Sequence, residues 1–229
     1  MYVRTVDGEE TTFGTSGSLW RDALVMYDRS SETLWSQVNA TAISGEHTGD
    51  VLTEIPSMVT TWGEWKVLHP DTLVLEKPAL DGSPYDRYYS SAEAYGASGK
   101  GSDDDRLPGK DLVMGVISGD AATAVALSFL QDAGVINGVV GDTPVVWISL
   151  SNLAVSVFDR RLDGETLELQ SAPGEDVVAG KSTFDAVNGK FTAGPLAGRS
   201  LERLAARRAY WYSWSLFHPD TALVDQGTP

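Results

Sequence analysis

The sequence of 229 residues contains no cysteine. This absence excludes disulfides, thiolate metal sites, iron–sulfur clusters and cysteine nucleophiles in the chain. Long apolar runs are missing as well, because none approaches the ~20 residues that span a bilayer. The opening residues MYVRTVDGEE do not have the pattern of a signal peptide. We therefore expect no transmembrane segment in this chain, and the sequence leaves its compartment unassigned.

Basic residues are scarce: 17 Lys and Arg stand against 32 Asp and Glu, which gives a net charge of −15. A nucleic-acid partner is not expected, because its phosphates would be repelled. The acids are spread along the chain, which is typical of adaptation to high salt; a patch for cations or basic partners is the alternative. The tight run Asp103–Asp105 suits a solvated linker better than a divalent-cation site, since consecutive acids cannot all face one ion. No metal and no cofactor are expected.

The most prominent feature of the sequence is an internal repeat. Residues 34–72 and 183–221 align without a gap at an offset of 149, and 11 of 39 positions are identical. Both copies keep the pattern Trp-x-x-Trp-x-x-x-His-Pro-Asp-Thr. Further upstream, RTVDGEE from Arg4 matches RRLDGET from Arg160 at an offset of 156, so the N-terminal copy carries seven extra residues around positions 15–34. These matches predict a chain built from two copies of one unit.

We predict an N-terminal copy at residues 1–77, a linker at 78–110 and a C-terminal copy at 111–229. The C-terminal copy is longer, because nothing in the N-terminal copy corresponds to residues 111–157. Strands left without neighbours expose unpaired backbone groups. We therefore expect a small-molecule or protein partner, a homodimer contact or a local rearrangement to cover the incomplete N-terminal copy.

Turn dipeptides such as Asp7-Gly8 and Asp163-Gly164 punctuate short apolar runs, which predicts many short antiparallel strands. Periodic apolar residues predict helices over 57–68, 205–217 and 128–132, the last closed by Gly134. The predicted fold class is therefore α+β and mainly β, with two tandem pseudo-repeats of short antiparallel strands that each carry one Trp-bearing helix.

The repeated motif has a structural and a chemical interpretation. As a scaffold, its tryptophans anchor a helix, its histidine complements the helix dipole, and its Pro-Asp-Thr ends the helix. As a metal site, its two histidines would bind one ion with His47 as the third ligand. The scaffold is favoured, because no carboxylate stands at ligand spacing. Its members are Trp62, Trp65, His69, Asp71, Trp211, Trp214, His218 and Asp220.

A second candidate, residues 13–37, is largely particular to the N-terminal copy. Asp28, Arg29, Trp35, Ser36 and Gln37 could line a small-molecule pocket, with Arg29 binding an anion and Trp35 stacking on the ligand. The alternative is a turn at Asp28 and Arg29 with Trp35 in the core. No catalytic residue can be assigned from the sequence.

The segments MYDRSSETLWSQ, PYDRYY and DDRLPGK, together with the two Trp/HPDT motifs, resemble the bacterial and archaeal family called domain of unknown function 3179. The resemblance covers almost the whole chain. It implies a duplicated domain, often exported or membrane-anchored, without an established activity. It also implies an upstream extension with a Cys-x-x-Cys segment in many members, which this chain does not contain.

Three functional hypotheses follow. The first is a non-enzymatic, salt-adapted, β-rich domain that binds a small molecule or a protein at or outside the cell surface. The second is a hydrolase with paired carboxylates, Asp28 and an acid from the linker, in a cleft lined by Trp20 or Trp35. The third is a degenerate paralogue that acts as a partner subunit.

Overall fold

The computed structural model of the protein describes residues 1–76, 82, 85–92, 95–96, 98–99, 101–151, 153–171 and 175–225. Part of the predicted linker 78–110 lies outside these residues. The strands within them are β1 Thr5–Val6, β2 Glu9–Glu10, β3 Phe13–Trp20, β4 Ala23–Asp28, β5 Leu34–Ser36, β6 Ala42–Ser44, β7 Leu112–Ser118, β8 Ala121–Ala126, β9 Val135–Val140, β10 Thr143–Ser149, β11 Val155–Asp159, β12 Arg161–Leu162, β13 Glu165–Thr166, β14 Val177–Ala179, β15 Ser182–Asp185, β16 Lys190–Ala193, β17 Arg207–Tyr210 and β18 Ala222–Val224.

The helices in these ranges are α1 Trp62–Leu68, α2 Asp86–Ser90, α3 Leu127–Ala133 and α4 Trp211–Phe217. Strands dominate and their pairing is mainly antiparallel, so the predicted α+β, mainly β class is confirmed. No helix in the described ranges has the length and apolar character needed to cross a membrane.

Helices α1 and α4 begin later than the sequence pattern predicts. Helix α1 begins at Trp62 instead of position 57, because Thr61 and Glu64 form a capping box: the Thr61 hydroxyl accepts from Glu64 N, and the Glu64 carboxylate accepts from Thr61 N. Helix α4 begins at Trp211 instead of position 205, because residues 207–210 are paired in a sheet as β17. Local periodicity did not reveal either boundary.

The chain divides into two compact units that do not follow the two sequence copies. The smaller unit comprises residues 1–57, 93–111 and 209–220, and the larger comprises 58–92, 112–208 and 221–229. Helix α1 of the N-terminal copy therefore belongs to the larger unit, and helix α4 of the C-terminal copy belongs to the smaller unit.

The smaller unit is built on the antiparallel sheet β3-β4-β5-β6. Its core cluster consists of Val6, Trp35, Ala40, Ala42 and Leu52. The long hairpin β3–β4 contains a register shift between Thr15 and Leu19, which indicates a bulge. Helix α4 contributes its fully buried Trp211 and Trp214 to this unit.

The larger unit contains strands β7, β8 and β18 of one sheet, together with the sheets β11-β10-β9 and β14-β15-β16. One core cluster packs β7, β8 and α3 against β9–β11 around the buried Trp147, and a second lies between β10, β11 and β14–β16 around Phe158, Phe184 and Phe191. Strand β18 extends the first sheet by parallel pairing with β8, in which Leu223 lies opposite Ala124. The buried β-branched runs explain why these strands form.

Several positions that match between the two copies have the same local geometry. The turn dipeptides have φ of 49° and 82° at Asp7-Gly8 and 53° and 85° at Asp163-Gly164. His69 and His218 end their helices with φ, ψ of −135°, 72° and −132°, 69°. Backbone bonds recur as well: Leu52 N donates to Ala40 O, and Leu201 N donates to Gly189 O.

Candidate functional site

The carboxylate of Asp28 lies inside a turn of the smaller unit and is completely buried. It accepts hydrogen bonds from the Trp35 indole N–H (3.0 Å), the Ser31 N–H (2.7 Å) and the Ser31 hydroxyl (2.7 Å), and Ser30 adds two more. Burial has the largest single effect on its pKa and raises it, but the hydrogen bonds together hold the pKa of Asp28 well below its ordinary value. Asp28 is therefore an ionised acceptor that organises the residue 28–33 turn.

The other residues of this predicted pocket do not converge on Asp28, apart from Trp35. Ser36 is buried, and its hydroxyl accepts from Asn39 N at 3.3 Å in the next turn. Arg29 and Gln37 are exposed, and the Arg29 guanidinium donates to the Tyr27 hydroxyl at 2.8 Å. Binding of a small molecule by this set stays a prediction, with Arg29 and Gln37 as its accessible members.

The repeated Trp–His motif has one geometry in two different environments. The rings of Trp65 and His69 are 4.1 Å apart, and those of Trp214 and His218 are 4.3 Å apart. In α4 both tryptophans are fully buried, whereas Trp62 of α1 is 48% exposed and α1 contains no buried residue. Asp71 and Asp220 are exposed, and in the N-terminal copy the Thr72 hydroxyl accepts from the Trp65 indole N–H at 2.9 Å.

Metal binding has no geometric support in the described part of the chain, where no group of three His, Asp or Glu side chains is placed to hold an ion. His47 stacks on Trp35 with 6.2 Å between ring centroids, and its Nδ1 lies 3.2 Å from an Asp50 carboxylate oxygen. His47 therefore supports the core around Trp35.

Asp104 and Asp105 of the acidic run line a cleft of about 400 Å³ in the smaller unit, together with Tyr95 and Tyr212. Arg106 binds the Asp104 carboxylate with two nitrogens and lowers the pKa of Asp104 against the opposing effect of burial. The Arg106 guanidinium also lies 5.0 Å from the Trp211 ring centroid. Asp104 therefore fixes Arg106 on the α4 tryptophan, and its charge is already balanced.

A run of three exposed apolar residues follows α1 in the larger unit. The exposed fractions of Leu73, Val74 and Leu75 are 95%, 63% and 79%, and these residues belong to no strand. Their counterparts at the offset of 149 are residues 222–224, which form β18 and pair with β8. We call residues 62–75 the docking segment.

Leu73–Leu75 belong to none of the sites predicted from the sequence. A signal was present: the alignment of the two copies continues past the shared Thr into TLVL in one copy and TALV in the other. A β-branched apolar run directly after a helix stop is typical of a strand. The sequence does not show whether a neighbouring strand is present to pair with residues 73–75.

Comparisons with known proteins give one match. The model of the family described as "Protein of unknown function (DUF3179)" matches residues 1–221 of the chain. No curated protein and no solved structure matches it.

Proposed function

The chain belongs to the DUF3179 family, whose function is unknown, and we propose that this protein is a non-enzymatic domain that binds a β-structured protein partner through the docking segment. The observation that carries the proposal is the contrast between two equivalent segments. Helix α4 buries five of its seven residues, and the strand that follows it joins a sheet. Helix α1 buries none, and the residues that follow it remain exposed.

The mode of binding that this contrast supports is strand addition. Residues 73–75 have a sequence that is typical of a strand. Their three large apolar side chains, of a kind normally buried in a core, face solvent. A partner that offers a sheet edge would pair with their backbone groups and cover these side chains, as β8 does for β18. Main-chain pairing would supply affinity, and the apolar side chains would supply the buried surface.

We also propose that the two copies arose by duplication within the chain. The support is local: matched turns, matched helix ends and matched backbone hydrogen bonds occur at constant offsets. A duplication explains why one chain carries both a paired and an unpaired version of the same segment.

The surroundings of the two carboxylates considered for a hydrolase, Asp28 and the linker residue Asp104, favour the non-enzymatic proposal. Asp28 is enclosed by five donors, and Asp104 is held by Arg106. Trp20 packs edge-on against Phe217 at 5.4 Å, and Trp35 is buried against Asp28. Neither tryptophan therefore lines an open cleft with a free carboxylate.

Strand addition is tested with a peptide copied from the chain itself. The probe is a fluorescein-labelled DAATAVAL, the sequence of residues 120–127 that contains β8. We expect saturable binding to the full chain in a fluorescence anisotropy titration. Val74→Pro removes a backbone donor from an exposed position and is expected to weaken binding at least tenfold without changing the unfolding midpoint.

Two controls accompany this titration. The same peptide with alternate amides N-methylated keeps its side chains but loses its strand donors, and it should not bind. Val59→Pro changes an exposed apolar position outside the docking segment and should leave the affinity unchanged. Equal binding of both peptides, or no effect of Val74→Pro, would refute strand addition. A dimer of the free chain in sedimentation that Val74→Pro abolishes would identify the partner as a second copy.

The acidic surface supports a further proposal, that the protein works at high ionic strength. A net charge of −15 destabilises the folded state by self-repulsion, which salt screens. We expect the urea midpoint to rise as KCl increases from 0.1 to 1 M. A lower midpoint in 1 M KCl would contradict salt adaptation, and a matched series in glycerol controls for general solvent effects.

A further inference from the structure

In the smaller unit, the tip of hairpin β3–β4 covers the last turn of α4. The Trp20 ring meets the Phe217 ring at 5.4 Å and 71°. The Arg21 guanidinium lies 5.8 Å from the Phe217 ring centroid and donates to the Leu216 carbonyl. Because the last carbonyls of a helix carry partial negative charge, a guanidinium at this position is favourable.

The backbone of this tip is unusual for its sequence. Arg21 and Asp22 form a two-residue loop with φ of 51° and 60°, a turn that normally selects Asn-Gly. Non-glycine residues in this region are strained, because their Cβ atom comes too close to the backbone. The Arg21 contacts with α4 and the hydrogen bond from Ser98 N to the Asp22 carboxylate (2.9 Å) offset that strain. The tip is thus held in shape by the contacts it makes.

In the larger unit, the equivalent end of α1 adjoins an open groove. At the offset of 149, Val67 and Leu68 correspond to Leu216 and Phe217, and Val67 is 82% exposed. The groove has a volume of about 260 Å³ and largely apolar walls. Its lining comprises Met58, Thr60, Glu64, Val67, Leu68, Leu150, Ser151, Ala154 and Val187.

We propose that this groove binds a β-hairpin tip in which a large aromatic residue is followed by arginine, the chemistry that Trp20 and Arg21 present to α4. The inference rests on the proposed function, because it describes a second contact of the same partner beside the strand that joins Leu73–Leu75. The aromatic ring would lie on Leu68 within the groove, and the guanidinium would bind the last carbonyls of α1.

The charge of the groove favours a basic occupant. Glu64 lines it, and the hydrogen bond from Ser151, followed by those from Thr61 and Thr60, lowers the pKa of Glu64 to about 2. The groove therefore carries a negative charge at neutral pH, in a chain whose net charge is −15. A guanidinium is attracted by both the local and the overall field.

The test uses the hairpin of this chain as the probe. A peptide of residues 13–28, FGTSGSLWRDALVMYD, is closed by a disulfide between cysteines added at its ends and titrated into the full ¹⁵N-labelled chain. We expect saturable chemical-shift changes at the amides of Val67, Leu68 and Ala154. Val67→Arg places a positive charge at an exposed groove position and is expected to weaken binding at least tenfold.

Peptide variants identify the chemistry of recognition. Trp20→Ala and Arg21→Ala peptides should each bind at least tenfold more weakly, whereas a Ser18→Ala peptide should bind like the parent. Shifts confined to α4, or affinities that do not depend on Trp20 and Arg21, would overturn the inference. If the DAATAVAL peptide binds and the hairpin does not, this inference fails while strand addition stands; if neither peptide binds, both proposals fail.

Discussion

Trp211→Ala is expected to lower the free energy of unfolding by about 3–5 kcal/mol, the usual cost of truncating a fully buried tryptophan. Trp211 is completely buried on α4, its indole N–H donates to the Asp104 carbonyl at 3.2 Å, and the Arg106 guanidinium stacks on its ring. Its removal would open a cavity and leave that arginine without its support. Urea unfolding followed by circular dichroism measures the difference.

The chain provides its own control for this substitution. Trp62 occupies the matching position of α1 but is 48% exposed, and Lys66 lies 5.6 Å from its ring centroid at the surface. Trp62→Ala is therefore expected to cost about 1 kcal/mol or less. Equal losses for the two variants would mean that α1 is as well packed as α4, which contradicts the exposed docking segment.

Asp28→Asn is expected to destabilise the protein by about 3 kcal/mol at neutral pH, because the carboxylate accepts charge-assisted bonds inside a buried turn. An amide keeps the size of the side chain but replaces one acceptor oxygen with a donor that faces the donors of Ser30, Ser31 and Trp35. The measurement is urea unfolding of both proteins at pH 7. Asp50→Asn, at a largely exposed carboxylate, is the control and should change stability by less than 1 kcal/mol.

The pH dependence of the stability difference between wild type and Asp28→Asn tests whether Asp28 is ionised in the folded protein. The folded-state pKa of Asp28 is depressed, so its contribution is fully present above the ordinary carboxyl pKa near 3.8. Below that pH the unfolded state takes up a proton and the folded state does not, and stability falls. The difference between wild type and Asp28→Asn should therefore shrink from pH 4 downwards. A difference that stays constant to pH 2.5 would show that Asp28 is not an ionised acceptor in the fold.

Much of the fold follows from local sequence patterns. The apolar, β-branched runs of the sequence at residues 112–118 and 144–150 nearly coincide with β7 and β10, and Gly134 ends α3 with φ of 75° as a helix C-cap. The predicted starts of α1 and α4 were wrong. A capping box sets the start of α1 and strand pairing of the preceding residues sets the start of α4, and neither follows from the spacing of apolar residues. Helix α1 belongs to the larger unit and helix α4 to the smaller unit because of long-range contacts, which no local sequence pattern encodes.

The candidate site was less accessible to sequence reasoning. Asp28 and Trp35 were predicted to lie in one site and are hydrogen-bonded, but the six residues between them in the sequence do not show that the carboxylate is enclosed. The motif residues Trp62 and Trp211 are identical in sequence and differ only in what covers them. Leu73–Leu75 becomes informative only beside β18, because the same apolar run is a strand where a neighbour exists and a surface where none does.

Hydrogen exchange at two equivalent segments tests the central claim most directly. In the free protein, the amides of residues 222–224 should exchange slowly because β18 is paired, whereas those of residues 73–75 should exchange at rates near those of an unstructured peptide. Saturating DAATAVAL should slow exchange at residues 73–75 at least tenfold and leave residues 222–224 unchanged. Slow exchange at residues 73–75 in the free protein, or no change on adding the peptide, would contradict the claim that these residues are unpaired and bind an added strand.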